Sequence, residues 1–336
     1  VIDLTVFDVG RGLSVLLDLP SRREGYASVG IIDCFAGSGR REPLLKEIDR
    51  KYGRKVQVEF LVLTHMHSDH FLGIGSLLER LGSRIGLIAD SGIDLVHIVA
   101  NEFPSNALYD STARSDLMRL HEFKKKNRKK VRPLTSPGQI LYRDSGNDVL
   151  VRTVAPPPAM LEDVNSHLQA VVRRLRGIRG NATPIAPPKF DLNRTSSAIE
   201  IIHQGCRIVI GGDVLQPAWN SVRGQVADLR SDIFVLSHHG ASNGFPSRHW
   251  MKWISKSTHA IVSGEGYNQP SPGVVRSIKA SGGRVYTTTR PGSTPRVASL
   301  ADFALSFHHR WPTAGPQRGD VRCKIDKGVT VEGLRY

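Results

Sequence analysis

The stretch "FLVLTHMHSDHFLGIGSLLERL", Phe60 to Leu81, decides the reading of this chain. It sets His65, His67, Asp69 and His70 within six residues. Before them, "VEFLVLTH" is an apolar run of strand length; after them, "GIGSLLERLG" carries apolar residues at helical spacing. Four imidazole and carboxylate groups at the end of a buried strand suit a divalent ion such as zinc or manganese, with no cysteine ligand required.

Two further strand ends carry groups of the same kind. "SSAIEIIHQGCRIVIGGD" reads as a hairpin turned at Gln204-Gly205 and ends at Asp213; "DIFVLSHHG" ends at His238-His239. Strand ends on one edge of a sheet are where α/β proteins gather side chains from distant sequence into one site. The remaining histidines (His97, His121, His167, His203, His249, His259 and the pair His308-His309) stand apart from this pattern and are read as surface or core residues.

The flanks fit an α/β chain. "IDLTVFDVG", "LSVLLDL" and "SVGIIDCFAG" read as strands, the last ending at Asp33, and "REPLLKEIDRKYG" as a helix stopped by glycine. "THAIVSGEG", "SPGVVRSIKASGG" and "RVYTTT" form a strand–helix–strand unit. From about Phe103 to Lys189 the periodicity loosens around "APPPAM" and "PIAPPK", with a helix expected at "DVNSHLQAVVRRLRGI"; this is read as an insertion over the core. The last residues, 311–336, are expected to form a tail or edge strands. No repeat of fixed period is present.

The 336-residue chain has a formal net charge of +15, an excess that calls for an anionic partner. It is clustered. "KKKNRKKVR" (Lys124 to Arg132) holds seven cations in nine residues, and "RRLRGIR" (Arg173 to Arg179) four in seven. Lys124, Lys125, Lys126, Arg128, Lys129, Lys130, Arg173, Arg174, Arg176 and Arg179 are therefore candidate contacts to nucleic-acid phosphates, which give affinity without base readout. Three dispersed cysteines (Cys34, Cys206 and Cys323) offer no disulfide framework and point to a reducing, cytoplasmic setting. No apolar run approaches the ~20 residues of a membrane span, and the charged start does not read as a signal peptide. The chain begins at Val1, which leaves an upstream segment open, and protein partners remain compatible with the sequence.

Taken together, "LTHMHSDHFLGI", "IVIGGDV" and "FVLSHHGASNG" identify a resemblance to the metallo-β-lactamase fold, whose signature is HxHxDH. With "FDVGRGLSVLL", "IIDCFAG", "NRTSSAIEII" and "GGRVYTTT", the resemblance narrows to the metallo-β-lactamase domain of the competence DNA-uptake channel (ComEC-type) and its free-standing relatives. It implies a four-layer αββα sandwich over residues 1–310 with a basic insertion at about 103–190, and one or two zinc or manganese ions. By analogy His65, His67 and His238 hold one ion, Asp69 and His70 a second, and Asp213 bridges; Asp69 also has the catalytic role of orienting the attacking hydroxide. Asp33, Ser196, His239 and Asn268 are expected to line the pocket.

The chain departs from the fold's pattern twice. The usual histidine between the cluster and the bridging aspartate has no counterpart, Asn193 or Ser196 standing near its place, so the second ion is expected to be short of a ligand. "GYNQPSP" lacks the histidine that similar proteins carry there; Asn268, Gln269 or Ser271 takes its place. The functional expectation is a metal-dependent phosphodiesterase or nuclease acting on DNA or RNA through a metal-activated hydroxide. The alternatives are a small-molecule hydrolase of the same fold, acting on a phosphodiester, lactone or thioester, and a weakly active nucleic-acid-binding or assembly subunit.

Overall fold

A computed structural model describes residues 1–37, 42–92, 110–156, 158–177, 191–222, 229–245, 253–264, 269–288, 320–325 and 328–335. Apolar residues alternate along the first strands, β1 (Ile2–Val6), β2 (Ser14–Leu19) and β3 (Ala27–Cys34), which pair antiparallel. The chain then switches to parallel pairing. Helix α1 (Pro43–Tyr52) returns it to β4 (Val56–Val62), and α2 (Ser68–Phe71) and α3 (Ile74–Leu81) carry it to β5 (Ile85–Asp90). Helix α4 (Ser111–Lys126) leads to β6 (Val131–Pro133), the edge strand of this sheet.

The second sheet repeats the plan. Strands β7 (Ile140–Asp144), β8 (Val149–Ala155), β9 (Ala198–His203) and β10 (Cys206–Ile210) are antiparallel, with α5 (Pro158–Gly177) between β8 and β9. The β9–β10 turn is the expected one, with Gln204 and Gly205 both at positive φ (49° and 77°) as a tight hairpin requires. After α6 (Gln216–Val222), the strands β11 (Ile233–Val235), β12 (His259–Val262) and β13 (Arg284–Thr287) run parallel, with α7 (Pro272–Ala280) before β13. The end of the chain supplies edge strands to both sheets. β14 (Val321–Ile325) pairs with β1 and β15 (Val329–Glu332) with β14, while β16 (Leu334–Arg335) pairs with β13.

The two sheets face each other across a core that includes Leu4, Val15, Leu17, Phe60 and Val62 from one and Val151, Ile199, Ile201, Ile210 and Val235 from the other. On the outer face of the first sheet, Leu61 and Leu63 meet Ile48 of α1, Leu77 of α3 and Leu117 of α4. On the outer face of the second, Phe234 and Val262 meet Trp219 of α6 and Ile278 of α7. This is the αββα sandwich expected. Within the stretch read as an insertion, however, residues 111–155 do not lie over the core. They supply α4, the edge strand β6 and the strands β7 and β8, so this segment is woven into three of the four layers. Its strands are short or flanked by prolines, which masks their alternation.

Phe60 is a keystone of the inter-sheet core. It is fully buried, its ring centroid lies 5.6 Å from that of Tyr142, and a Cβ on its neighbour Gly30 would come within 2.2 Å of the ring. Gly30→Ala must displace the ring, and overpacking of this kind costs about 1–3 kcal/mol. Urea denaturation should show a lowered midpoint for this variant; an unchanged midpoint would contradict the packing described.

Candidate metal centre

Every ligand-bearing segment leaves a strand at the same edge of the sandwich. His65 and His67 follow β4, Asp69 and His70 lie in the short helix α2, Asp213 follows β10, and His238 and His239 follow β11. The loops are tied to one another. Ser197 N donates to Thr64 O (2.9 Å), Asp213 N to Ser196 Oγ (2.8 Å) and His238 N to Gly212 O (2.8 Å). Ser196, expected to line the pocket, thus holds the Asp213 backbone in place.

Asp213 lies at the middle. Its Oδ2 is 3.9 Å from both His65 Nε2 and His238 Nε2; its Oδ1 is 3.2 Å from His70 Nε2 and 3.8 Å from His239 Nε2. Two groups with converging ligand atoms result: His65, His67 and Asp213 in one, and Asp69, His70 and His239 in the other. Asp69 Oδ2 and His239 Nε2 are 3.6 Å apart. His239, read from sequence as pocket lining, therefore joins Asp69 and His70, and the second group holds three candidate ligands beside the shared Asp213. His238 stands at the margin of the first group, with Asn193 Nδ2 3.5 Å from its Nε2.

The adjacent histidines diverge because both adopt left-handed backbone, φ 50° at His238 and φ 54° at His239. Histidine tolerates this region better than most residues, yet such conformations cost on the order of 1–3 kcal/mol each and persist where surrounding structure enforces them. Asp33 shares the feature at φ 55°.

A second layer orients the imidazoles. His70 Nδ1 lies 2.7 Å from Asp33 Oδ2; Thr64 donates to the same carboxylate through N and Oγ1, both at 2.7 Å. Thr64 Oγ1 is also 3.2 Å from His65 Nδ1. His239 Nδ1 is 2.9 Å from the Ser263 carbonyl, which can only accept, so Nδ1 carries the proton. His238 Nδ1 meets Asn243 Oδ1 at 2.9 Å. With each Nδ1 engaged, each Nε2 is left to face Asp213, the arrangement that metal-binding histidines adopt. Sequence reading passes over Thr64, Asn243 and Ser263. Only the position of Thr64 directly before the cluster, and of Ser263 at a strand end, hints at them.

The electrostatics fit a divalent ion. His65 Nε2, His70 Nε2, His239 Nε2 and Asp213 Oδ1 are buried without hydrogen-bond partners, a costly state for polar atoms that a cation would relieve. Burial, with His70 and His67 nearby, holds His65 well below the usual histidine range; burial also lowers His67. Both are thus neutral, as ligation requires. Burial opposes the ionised form of Asp213, but His70 and His239 outweigh it and hold Asp213 well below the usual carboxylate range. Burial likewise opposes Asp69, which the contact with His239 and the charge of His70 bring down. His70 is raised: its burial is overruled by Asp213 and Asp33. Metal uptake must therefore displace a proton from His70.

The other candidates scatter. Asn268 and Arg179 lie outside the described residues, and only the backbone of Arg174 and Arg176, in the last turns of α5, is described. Arg173 is exposed. Lys124 is engaged elsewhere: its Nζ is 2.7 Å from Oδ2 of the buried Asp90. Lys125, Lys126, Arg128 and Lys129 are exposed and Lys130 half-buried. This run leads into β6, two strands from β4, which is about 10 Å at ordinary strand spacing.

Residues 24–152 match the family model of the metallo-beta-lactamase superfamily. No curated protein gives a sequence match. Among solved structures the chain is similar to a mutant of CmlA beta-hydroxylase, at 14% identity and a TM-score of 0.43, covering 84% of this chain and 52% of that one. The chain thus spans about half the length of that relative. Igni18, a metallo hydrolase from the hyperthermophilic archaeon Ignicoccus hospitalis KIN4/I, is similar at 11% identity and 0.42, covering 85% and 95%. Unliganded yeast PDE1 is similar at 10% and 0.43, covering 85% and 97%. Such distant likenesses carry no statement about substrate.

Asp33→Asn should leave the fold intact while removing the carboxylate that orients His70. Loss of such a partner costs roughly 10–100-fold in metal affinity. Titration with zinc or manganese should show that weakening, with the tighter binding of one ion retained; wild-type affinity for both would contradict the role given to Asp33.

Proposed function

We propose that this chain is a metal-dependent phosphodiesterase that hydrolyses nucleic-acid backbones. The observation that carries the reading is the placement of Asp213 between two convergent ligand groups. A divalent ion at each would supply Lewis acidity toward a phosphoryl oxygen and water acidified to near neutral pH. Asp69 and Asp213 supply the charge, and the imidazoles supply nitrogen ligands, those of His65, His70, His239 and His238 aimed by Thr64, Asp33, Ser263 and Asn243. Asp69 is the more open of the two carboxylates, its side chain 28% exposed against 4% for Asp213. It is therefore the group placed to accept a hydrogen bond from an incoming water and to orient it.

The charge excess and the resemblance to the competence-channel domain support a nucleic-acid substrate over a small phosphodiester. Helix α5 adds to this. Val164 and Leu168, in the middle of α5, share a buried cluster with Leu192, next to Asn193 at the margin of the centre, so the helix that leads into the second basic run packs beside the site. A second reading, hydrolysis of a small molecule, is favoured by one observation: the first basic run sits at the sheet edge, and its Lys124 is already paired with Asp90.

Two outcomes are expected. Asp69→Asn should fold normally and lose turnover of a fluorescent oligonucleotide and of bis(4-nitrophenyl) phosphate by orders of magnitude, since positioning and metal binding fail together; near-wild-type rates would remove Asp69 from catalysis. Replacing Lys125, Lys126, Arg128, Lys129 and Lys130 with Gln, leaving Lys124 in place, should weaken binding to all sequences about equally. It should also flatten the dependence of log affinity on log salt, by about 0.7–0.9 for each phosphate that is no longer neutralised. Unchanged affinity and slope would leave the small-molecule reading in front.

A further inference from the structure

The loop between β1 and β2 contributes nothing to the ligand groups, yet it is built between two of the segments that do. On one side Leu13 N donates to Asp69 O at 3.0 Å. On the other side the loop lies against Gly264, which has φ +80°; a Cβ there would lie 1.8 Å from Gly10 O and 3.2 Å from Arg11 Cα. Only glycine permits that approach. The preceding residue, Ser263, is the one that accepts from His239 Nδ1. Arg11 is thus carried on backbone wedged between the segments of Asp69 and His239, the two outer members of the second ligand group.

Among the described residues the guanidinium of Arg11 meets no counter-charge. Nε is fully enclosed and has no hydrogen-bond partner, and no ion pair to Arg11 exists among the described residues. The carboxylates of the centre face other groups: Asp33 meets His70 and Thr64, and Asp213 and Asp69 lie against histidines. An enclosed donor left without a partner is costly, and Arg11 as a whole is half-buried, with Nε its enclosed atom. Its planar fork matches the oxygens of a phosphate.

We propose that Arg11 binds a non-bridging phosphate oxygen of the substrate at the metal centre and so makes the site selective for anionic phosphodiesters over neutral esters. This rests on the phosphodiesterase reading and assigns its substrate-binding cation. The test compares metal-loaded wild type, Arg11→Gln and Arg11→Lys. Inorganic phosphate binding is measured by calorimetry, metal content by mass spectrometry, and kcat and KM with bis(4-nitrophenyl) phosphate and with 4-nitrophenyl acetate. At unchanged metal content, Arg11→Gln should bind phosphate about tenfold or more weakly and raise KM for the phosphodiester, leaving the neutral ester unaffected. Arg11→Lys, which keeps the charge and loses the fork, should fall between the two. Wild-type phosphate affinity and KM in Arg11→Gln overturn the proposal while leaving the phosphodiesterase reading standing. Should Arg11→Gln fail to fold, wild-type values in Arg11→Lys overturn it instead. A metal-loaded wild type that neither binds phosphate nor cleaves any phosphodiester would bring down the underlying reading, and Arg11 with it.

Discussion

Asp213 places one carboxylate within 3.9 Å of four imidazole nitrogens, with almost no water to share the load. Buried polar atoms without partners are among the most costly features a fold can hold, and here they come from segments far apart in sequence. The sandwich is arranged around this meeting point. His65, His67, Asp69 and His70 come from the first sheet's parallel half and Asp213, His238 and His239 from the second's. Neither half alone completes either ligand group, because the first includes Asp213 and the second includes His239.

Holding such a cluster together requires rigidity behind it. Thr64 is the hinge between layers: its carbonyl accepts from Ser197 in the second sheet, its N and Oγ1 donate to Asp33, and its Oγ1 touches His65. At β11 the buried Trp219 donates to Ser237 Oγ, which donates in turn to Gly211 O and anchors the turn that bears both histidines. Left-handed backbone at Asp33, His238 and His239 is sustained by these contacts. The electrostatic result is a centre with two ionised carboxylates, neutral His65 and His67, and one imidazole, His70, that holds a proton until a cation competes for its Nε2.

Much of this is legible in the sequence, for reasons of local pattern. The cluster after "VEFLVLTH" and the aspartate and histidines after "RIVIGGD" and "FVLSHHG" mark strand ends directly. The β9–β10 hairpin is legible from Gln204-Gly205 alone. The division of labour between His238 and His239 is not, because it depends on two successive left-handed residues, and spacing gives no sign of that. Ser196 acts through the backbone of Asp213 on the neighbouring strand's end and Thr64 through that of Ser197 beside the opposite sheet, and the Lys124–Asp90 pair joins residues distant in sequence; local pattern carries no trace of these. Strand β6 has only three residues, and β8 runs into the proline-rich "APPPAM", so the segment that completes the outer layer and the second sheet reads as an insertion.

The central claim is that Asp213 is shared by two cation sites. Anomalous scattering from crystals of the protein loaded with zinc or manganese tests it most directly. Two peaks on opposite sides of the Asp213 carboxylate are predicted, one bounded by His65 and His67 and the other by Asp69, His70 and His239. A single peak that Asp213 does not touch, or no peak at saturating metal, would contradict the account.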